Sequence, residues 1–510
     1  MPQETELKLR LPPEALPRLR GMVLPGAVPG ARAVSERLHS TYFDTADSLL
    51  RRNGVALRLR RTRRGWVQTL KGGGAAGAGL HQRAEWECRV AGPQLELDRL
   101  PGPASVLLLP AEVREALRPV FTTEFGRRRR MLRFEGGDEV EFCVDRGEVR
   151  AEHASSPICE IELELKSGSP TRLFDVGRAL LRELPVRLES ASKAERGYAL
   201  ALGEPPAPRK AEAISLSAQT PVNEAFKAVV FACLAQLQAN EDGMLEGRDA
   251  EYLHQMRVAL RRLRSALALF RAAFPAESLQ SALEELKWLA GRLGPARDWD
   301  VFLTETLPRV KAPPSAAGVE AFRRAAEQVR AQALTGAHDA VQSSRYQEVL
   351  LDLGAWLAAE PWLASADAEV LARARGPVAE FARDTLERLQ RRVRKRGRGF
   401  EYLSPAERHR VRIAAKRLRY AGEFFSALYP PKPARRYLRA LSALQDVLGA
   451  LNDAATTERL VRETLAGAGE PAVAAGAGFI EGWVAADAEH RAAHAKEAWK
   501  KFIGGGAFWK

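Results

Sequence analysis

Near its amino terminus the chain reads ETELK, so Glu4, Glu6 and Lys8 occupy alternate positions. On an extended strand successive side chains point to opposite faces, which puts both carboxylates and the ammonium on one side and Thr5, Leu7 and Leu9 on the other. Two carboxylates suit a hard divalent cation, and a neighbouring ammonium suits an anion bound beside it. A single triplet of this kind is equally the mark of a surface strand. The device recurs, however, in Arg58 with Arg60, Arg83 with Glu85 and Glu87, Arg127 with Arg129, Glu141 with Asp145, and Glu160 with Glu162 and Glu164. Strands charged on one face and apolar on the other can close into a barrel with a polar lumen and an apolar outside covered by helices. Lys8, Arg58, Arg60, Arg83, Arg127 and Arg129 are then candidate anion ligands, with Glu85 on the same face as Arg83. Glu4, Glu6, Glu160, Glu162 and Glu164 are the candidate metal ligands. In RRRRM (127–131) the register is ambiguous, and Arg128 with Arg130 fits the inward pair as well. His39, His81 and His153 fall outside the alternating sets and receive no role.

A second concentration of cations lies in HQMRVALRRLR, from His254, and again in HRVRIAAKRLR, from His409, 155 residues later. The same offset carries Arg257, Arg261, Arg262 and Arg264 onto Arg412, Lys416, Arg417 and Arg419, and Leu293, Gly294 and Asp298 onto Leu448, Gly449 and Asp453. At about 100° per residue, His254, Arg257, Arg261 and Arg264 share a helix face about 80° wide, as do His409, Arg412, Lys416 and Arg419. Like charges at this spacing repel, so a face that accepts them twice points to an anion. Arginine forks in a row suit a chain of phosphates. Nucleic acid is the rival partner, disfavoured because only Tyr420 supplies an aromatic ring beside either stripe. Each histidine reads as an anion-site member or as a hydrogen-bonded structural residue.

These residues need two kinds of scaffold. Through about residue 200, period-two segments such as GVALRLRRT and ICEIELELK alternate with Gly, Pro and Asp, the pattern of strands. The run GGGAAGAGLHQ (72–82) reads as a flexible hairpin loop. After Leu202, GEPPAPRKAEAISLSAQT has no periodicity and reads as a linker over 204–220. From Pro221 the spacing is helical, broken at 312–314, near Pro361 and at YPPKP (429–433). The fold class expected is α+β multidomain: an antiparallel β-barrel tunnel with flanking helices over 1–203, then an all-α domain over 221–505. The internal repeat divides that domain into two pseudo-symmetric four-helix bundles, about 221–360 and 361–505. Within 510 residues, 46% hydrophobic content supports such cores, and a net charge of +14 favours anionic partners. Four widely spaced cysteines, without a Cys-x-x-Cys pair, exclude a disulfide scaffold and fit a reducing compartment. The opening residues lack a signal-peptide core and no run is long enough to span a bilayer, so a cytoplasmic protein with no membrane partner is expected.

The first half resembles the CYTH family of triphosphate tunnel metalloenzymes. The resemblance rests on ETELK, STYFDT (40–45), ALRLR (56–60), TLK (69–71), RAEWE (83–87), FTTEFGRRR (121–129), VDRG (144–147), ICEIELELKSG (158–168) and SKAERGYAL (192–200), in family order. The second half resembles the CHAD family, named for a conserved histidine α-helical domain, through the two His-x-x-Arg segments, LGPARDWD (293–300) and LGALND (448–453). The pair resembles bacterial inorganic triphosphatases of CYTH-CHAD arrangement. It implies hydrolysis of inorganic triphosphate to pyrophosphate and phosphate with Mg²⁺ or Mn²⁺, by in-line attack of an activated water, and inorganic polyphosphate binding by the helical domain. Lys8, Arg58, Arg60, Lys71, Arg83, Arg127, Arg129 and Lys193 would then hold the triphosphate, with Glu4, Glu6 and Glu85 beside them in the catalytic site. Two alternatives stay open: a non-catalytic polyphosphate-binding or targeting protein, and a nucleotide enzyme, namely an adenylate cyclase or a nucleoside or thiamine triphosphatase.

Overall fold

The computed structural model describes residues 3–19, 21–28, 32–100, 111–271, 273–274, 280–311, 317–364 and 368–510. They form two compact units, Met1–Pro208 with Ser344–Pro361, and Arg209–Ser343 with Trp362–Lys510.

The first unit is built on β1 (Gln3–Arg10), β2 (Ala27–Val28), β3 (Val34–Asp44), β4 (Val55–Thr62), β5 (Gly65–Gly77), β6 (Leu80–Val90), β7 (Arg118–Phe134), β8 (Glu139–Arg150), β9 (Ser155–Ser167) and β10 (Arg187–Leu188). Eight of these close an antiparallel barrel in the order β1-β6-β5-β4-β3-β7-β8-β9 and back to β1. Closure is possible because β1 serves two neighbours, pairing with β6 through residues 3–7 and with β9 through residues 6–10. Residues paired across a ladder share a face. Glu4 stands opposite Arg83, Lys8 opposite Glu162, Arg58 opposite Tyr42, Lys71 opposite Glu85, and Asp145 between Arg127 and Glu160. The charged alternation therefore lines the lumen and the apolar one faces out. The register also settles the arginine run: Arg127 and Arg129 share the inner face, and the Arg130 guanidinium lies outside, over the Phe142 ring.

The segment 72–82, expected as a loop, is instead mostly strand. β5 and β6 continue to Gly77 and Leu80, joined by the two residues Ala78 and Gly79, both with positive φ (52° and 71°). That is the turn whose twist matches the flanking strands. A Cβ at Gly79 would come within 2.5 Å of the Leu188 side chain, so glycine there also permits close approach.

Outside the barrel, Val55, Leu57, Leu70 and Trp86 pack with Leu50, Leu100 and Val113. Helix α1 (Thr171–Glu183) covers the outer face of β1 and β9, burying Leu173, Phe174 and Leu180. One end of the lumen is filled by Leu38, Tyr42, Phe121, Phe125, Val149 and Ile158 with Tyr198 of helix α2 (Lys193–Ala201). Tyr42 stacks on Phe121 at 4.5 Å and Tyr198 meets it edge-on at 5.1 Å. Gly147 makes this packing possible, since a Cβ there would lie 2.1 Å from the Glu124 carbonyl oxygen.

The second unit is helical. The 155-residue offset carries α4 (Ala250–Phe270) onto α9 (Pro405–Phe425) end to end. It likewise brings α3 (Val222–Gln238), α5 (Gln280–Val301) and α6 (Ala317–Gln342) onto α8 (Val378–Arg396), α10 (Pro431–Gly467) and α11 (Pro471–Ile503). The helix break expected at 312–314 lies outside the described residues. One segment departs from the expected division of the chain. Helix α7 (Ser344–Ala359), placed by the sequence pattern inside the helical domain, groups with the barrel unit, because its buried residues pack on α1. Among the described residues no helix is long and apolar enough to cross a membrane.

Candidate functional site

The lumen is organised around Lys193, the first residue of α2. A capping box fixes that end of the helix: Ser192 Oγ accepts from the Glu195 N–H, and the Glu195 carboxylate accepts from the Ser192 N–H at 2.6 Å. A cation at a helix N-terminus opposes the helix dipole. Three carboxylates offset this, as Lys193 Nζ donates to Asp145 at 2.7 Å, to Glu162 at 2.8 Å and to Glu160. Burial lowers the Lys193 pKa, but Asp145, Glu160 and Glu162 outweigh it and leave it raised. Arg127 forks onto Asp145 at 2.8 and 2.7 Å and also reaches Glu162. Lys8 lies 3.1 Å from both Glu6 and Glu162, and these carboxylates hold its pKa well above the usual lysine range despite burial. Further round the barrel Lys71 bridges Glu4 and Glu85, Arg58 approaches Glu85 at 3.6 Å, Arg83 approaches Glu195 at 3.6 Å, and Arg129 pairs with Glu141 at 3.2 Å.

Two places in this network stand out, with opposite sign. Arg60 donates to Ser40 Oγ at 3.1 Å and lies over the Phe125 ring, with no carboxylate in ion-pair distance among the described residues. Burial, together with the charges of Arg58 and Arg127, pushes its pKa down to about 10. Burial would raise the pKa of the adjacent Tyr42 hydroxyl, yet Arg58 and Arg60 hold it below its ordinary value. Glu164 stands in the ladders between Glu6 and Glu141 and pairs with Lys166 at 2.5 Å; burial raises its carboxyl, Lys166 opposes this, and Glu4 and Glu141 add to it. One part of the lumen thus holds an arginine without a carboxylate partner among the described residues, and another gathers neighbouring carboxylates.

The acidic side chains fit a divalent cation on this evidence. Asp145, Glu160 and Glu162 bring oxygens within 4.8 Å of one another, a spacing that suits a metal. Their charge, however, is already met by Lys193, Arg127 and Lys8. Glu4, Glu6 and Glu164 are the better candidates, being hard oxygen donors each held by a single lysine, with Glu6 and Glu164 directly opposite across the β1–β9 ladder.

Every lumen residue named from the sequence lies on the inner face of the barrel or, for Lys193, reaches it from α2. Asp145, wholly buried and bonded to both Arg127 and Lys193, was recognisable as part of an alternating strand but was not singled out as a site residue. Tyr42, within STYFDT, and Arg196, which pairs with Glu160 at 2.6 Å, were also missed. The Cys143 thiol lines the same cavity, but burial raises its pKa strongly and keeps it protonated.

In the helical unit, Arg257 is held by the motif downstream of it. It donates to the Leu293 carbonyl at 3.3 Å and to the Gly294 carbonyl, and it lies 3.2 Å from Asp298, which also receives Arg459 at 2.7 Å. His254 Nδ1 accepts from Arg297 Nε at 3.0 Å. Burial and Arg297 lower its pKa, which keeps the ring neutral and orients Arg297. The two stripes converge: burial and the charges of Arg412, Arg261, Arg419 and Arg257 push the Lys416 pKa down to about 7. Arg264, Arg417 and His409 are exposed. Arg262 requires a correction. It is buried in the bundle, donating to Gln236 at 3.0 Å and lying over the Phe424 ring, because eight residues beyond His254 the helix has turned it onto the packed flank.

The model of the CYTH domain matches residues 2–198, and that of the CHAD domain matches residues 228–462. An inorganic triphosphatase of Haemophilus influenzae is 33% identical over 204 residues, 39% of this chain and 55% of that protein. The chain thus spans about half the length of that relative. An uncharacterized protein of Mycobacterium tuberculosis is 27% identical over 468 residues, 85% of this chain and 83% of its own length. Among solved structures, the CHAD domain of the plant Ricinus communis is 36% identical with a TM-score of 0.52, covering 58% of this chain and 97% of that domain. With the barrel, its charged lumen and the duplicated helical unit in agreement, the chain belongs to the proteins in which a CYTH domain is followed by a CHAD domain.

Proposed function

We propose that the barrel unit hydrolyses inorganic triphosphate to pyrophosphate and phosphate with Mg²⁺ or Mn²⁺, and that the helical unit binds inorganic polyphosphate. One observation carries the first part: a single lumen holds Arg60, which has no carboxylate in ion-pair distance among the described residues, and a row of neighbouring carboxylates, Glu6, Glu164 and Glu141, across the β1, β9 and β8 ladders. A pure anion binder gains nothing from the second. The similarity to a Haemophilus protein named inorganic triphosphatase supports the same reading.

On this reading Arg58, Arg60 and Arg127 take phosphoryl oxygens, and Lys8, Lys71, Arg83, Arg129 and Lys193 neutralise the rest of the triphosphate. The lumen cavity has a volume of about 70 Å³ among these paired side chains, so cross-lumen ion pairs must part as the substrate enters. A divalent cation held by Glu4, Glu6 and Glu164 would supply Lewis-acid stabilisation of the phosphoryl charge. The bond formed is from a water oxygen to the terminal phosphorus, and the bond broken is from that phosphorus to the bridging oxygen, which leaves with the electron pair as pyrophosphate. Arg60 and Arg58 stabilise the charge spreading over the equatorial oxygens. No side chain serves as nucleophile, in keeping with the protonated state of Cys143.

In the helical unit, the convergence of Arg257, Arg261, Arg412 and Arg419 on Lys416 supports a linear polyanion as ligand. The deciding assay supplies triphosphate, long-chain polyphosphate, ATP and thiamine triphosphate, each with Mg²⁺ or Mn²⁺, and follows phosphate and cyclic nucleotide. Rapid turnover of triphosphate alone, lost in Glu4→Ala or Glu6→Ala, is expected. Comparable ATP cyclisation would replace the reading with a nucleotide enzyme, and binding without turnover would leave a polyphosphate-binding protein. Polyphosphate affinity should fall when Arg257 and Arg412 are both changed to Ala, and equal affinity for DNA of matched charge would favour nucleic acid.

A further inference from the structure

Helix α7 is carried in the middle of the helical half of the chain, yet it belongs to the barrel unit, and its contacts there lead to a lumen strand. Gln347 is buried, and its Oε1 accepts from the Leu188 backbone N–H at 2.9 Å. Leu188 is one of the two residues of β10, which pairs with Leu9 of β1. The next residue, Glu189, donates its N–H to the Lys8 carbonyl at 2.8 Å, while the Lys8 N–H donates to the Gly79 carbonyl at 3.0 Å. Lys8 sits where β1 leaves β6 and is held thereafter by β9 on one side and by β10 on the other. A two-residue strand has little hold of its own. An acceptor for its outer N–H therefore bears on how firmly β1 is seated.

The packing beneath the same helix reaches β1 directly. A Cβ at Gly177 of α1 would meet Leu351 of α7 and Leu7 of β1, each at 3.0 Å, so the two leucines close on the same glycine. A Cβ at Gly354 of α7 would lie 2.2 Å from the Phe174 ring, so glycine lets α7 settle onto α1. Arg178 and Asp352 close the exposed edge of the contact at 2.8 Å. Leu7 lies between Glu6 and Lys8, whose side chains point the other way, into the lumen.

We propose that helix α7 is a strap of the barrel that sets the position of β1, and with it Glu6 and Lys8, and that Gln347 is its positioning residue. The inference rests on the triphosphatase reading for its effect on catalysis, but not for its effect on the strand. The chain enters this strap from the helical unit at Ser343 and returns to that unit at Trp362, so the barrel unit is assembled from two separate stretches of sequence.

The test uses the full-length chain. Hydrogen exchange is followed by mass spectrometry over residues 3–11 and over β7 as an internal reference, alongside melting temperature and triphosphate turnover at graded metal concentrations. In Gln347→Leu, of similar volume but without the acceptor, residues 3–11 should exchange faster while β7 is unchanged. The metal concentration for half-maximal rate should rise about tenfold, since small misplacements of site groups carry penalties of this order or more. Gln347→Glu keeps an oxygen acceptor and should restore both readouts. Asp352→Ser, at the exposed edge, should alter neither. Gly354→Leu should loosen residues 3–11 further. An active protein in which Gln347→Leu leaves exchange and metal dependence as in wild type overturns the proposal, as does a fall in melting temperature with β1 and β7 loosened alike. If the wild type hydrolyses no triphosphate, it is the functional reading that fails, and the exchange of residues 3–11 alone decides on the strap.

Discussion

Arg60 and Arg127 are inward arginines on the same lumen wall, and the structure gives them opposite parts in stability. A pKa pushed down to about 10 means that the folded state disfavours the charged form of Arg60 by roughly 3 kcal/mol. Because the side chain is partly open to the lumen, screening reduces what a neutral replacement recovers to about 1–2 kcal/mol. Arg60→Gln should therefore raise the melting temperature of the ligand-free barrel by a few degrees, at about 2–4 °C per kcal/mol for a unit of this size. Arg127→Gln leaves the fully buried Asp145 with Lys193 as its one remaining cation among the described residues and weakens the hold on Glu162, at a cost of about 3 kcal/mol and a correspondingly lower melting point. In catalysis the two should agree in direction. Loss of one charge-assisted phosphate contact, worth about 1.5–3 kcal/mol, lowers kcat/KM roughly 10- to 150-fold in Arg60→Gln. Calorimetry without ligand and initial-rate kinetics with triphosphate provide both measurements. If Arg60→Gln melts as low as Arg127→Gln, Arg60 has a compensating partner and the argument for an open phosphate position collapses.

Glu164→Gln removes a donor from the candidate metal-holding group of Glu4, Glu6 and Glu164 and should raise the metal concentration needed for half-maximal turnover about tenfold or more, read from a Mg²⁺ titration. Lys416 accepts a proton as a polyanion approaches, so polyphosphate affinity should fall as pH rises through about 7 at fixed ionic strength, and that dependence should vanish in Lys416→Gln. Gly147→Ala would force a methyl against the Glu124 carbonyl and should destabilise the barrel by about 3 kcal/mol in denaturant titration. Asp298→Ala releases Arg257 and Arg459 together and should weaken polyphosphate binding more than Arg459→Ala alone, measured by fluorescence anisotropy.

The inward face was legible because its period is two and its charges are of lumen type: ETELK and ICEIELELK state their orientation outright. The arginine run did not, since four consecutive arginines satisfy either register, and only the ladder that sets Arg127 opposite Asp145 and Arg129 opposite Cys143 selects Arg127 and Arg129. The glycine-rich stretch misled for a related reason. Glycine marks turns, yet here a two-residue turn uses only Gly79 of that run, and β5 continues through the rest. The 155-residue repeat gave the helices of the second unit, and the face angle of the stripe correctly grouped His254, Arg257 and Arg261. It could equally have set Arg262 apart, since that residue lies 80° from His254 on the side away from the rest of the stripe, about 160° from Arg264. Arg297, which donates to His254, escaped notice because its counterpart in the second half is Asn452 and the repeat does not flag it. Asp145 was hidden by its context, an acid directly before Arg146 whose partners Arg127 and Lys193 come from other elements, and α7 by its place in the chain, where a helix among helices carries no sign of which unit it joins.

The aromatic cluster at one end of the barrel bears on how a longer substrate would be handled. With Phe121, Phe125 and Tyr198 filling that end, a phosphate chain bound in the lumen as proposed would meet the charged groups only by its terminus. Cleavage would proceed from chain ends, never in the interior, and each released fragment would have to depart through the doorway by which its parent came in.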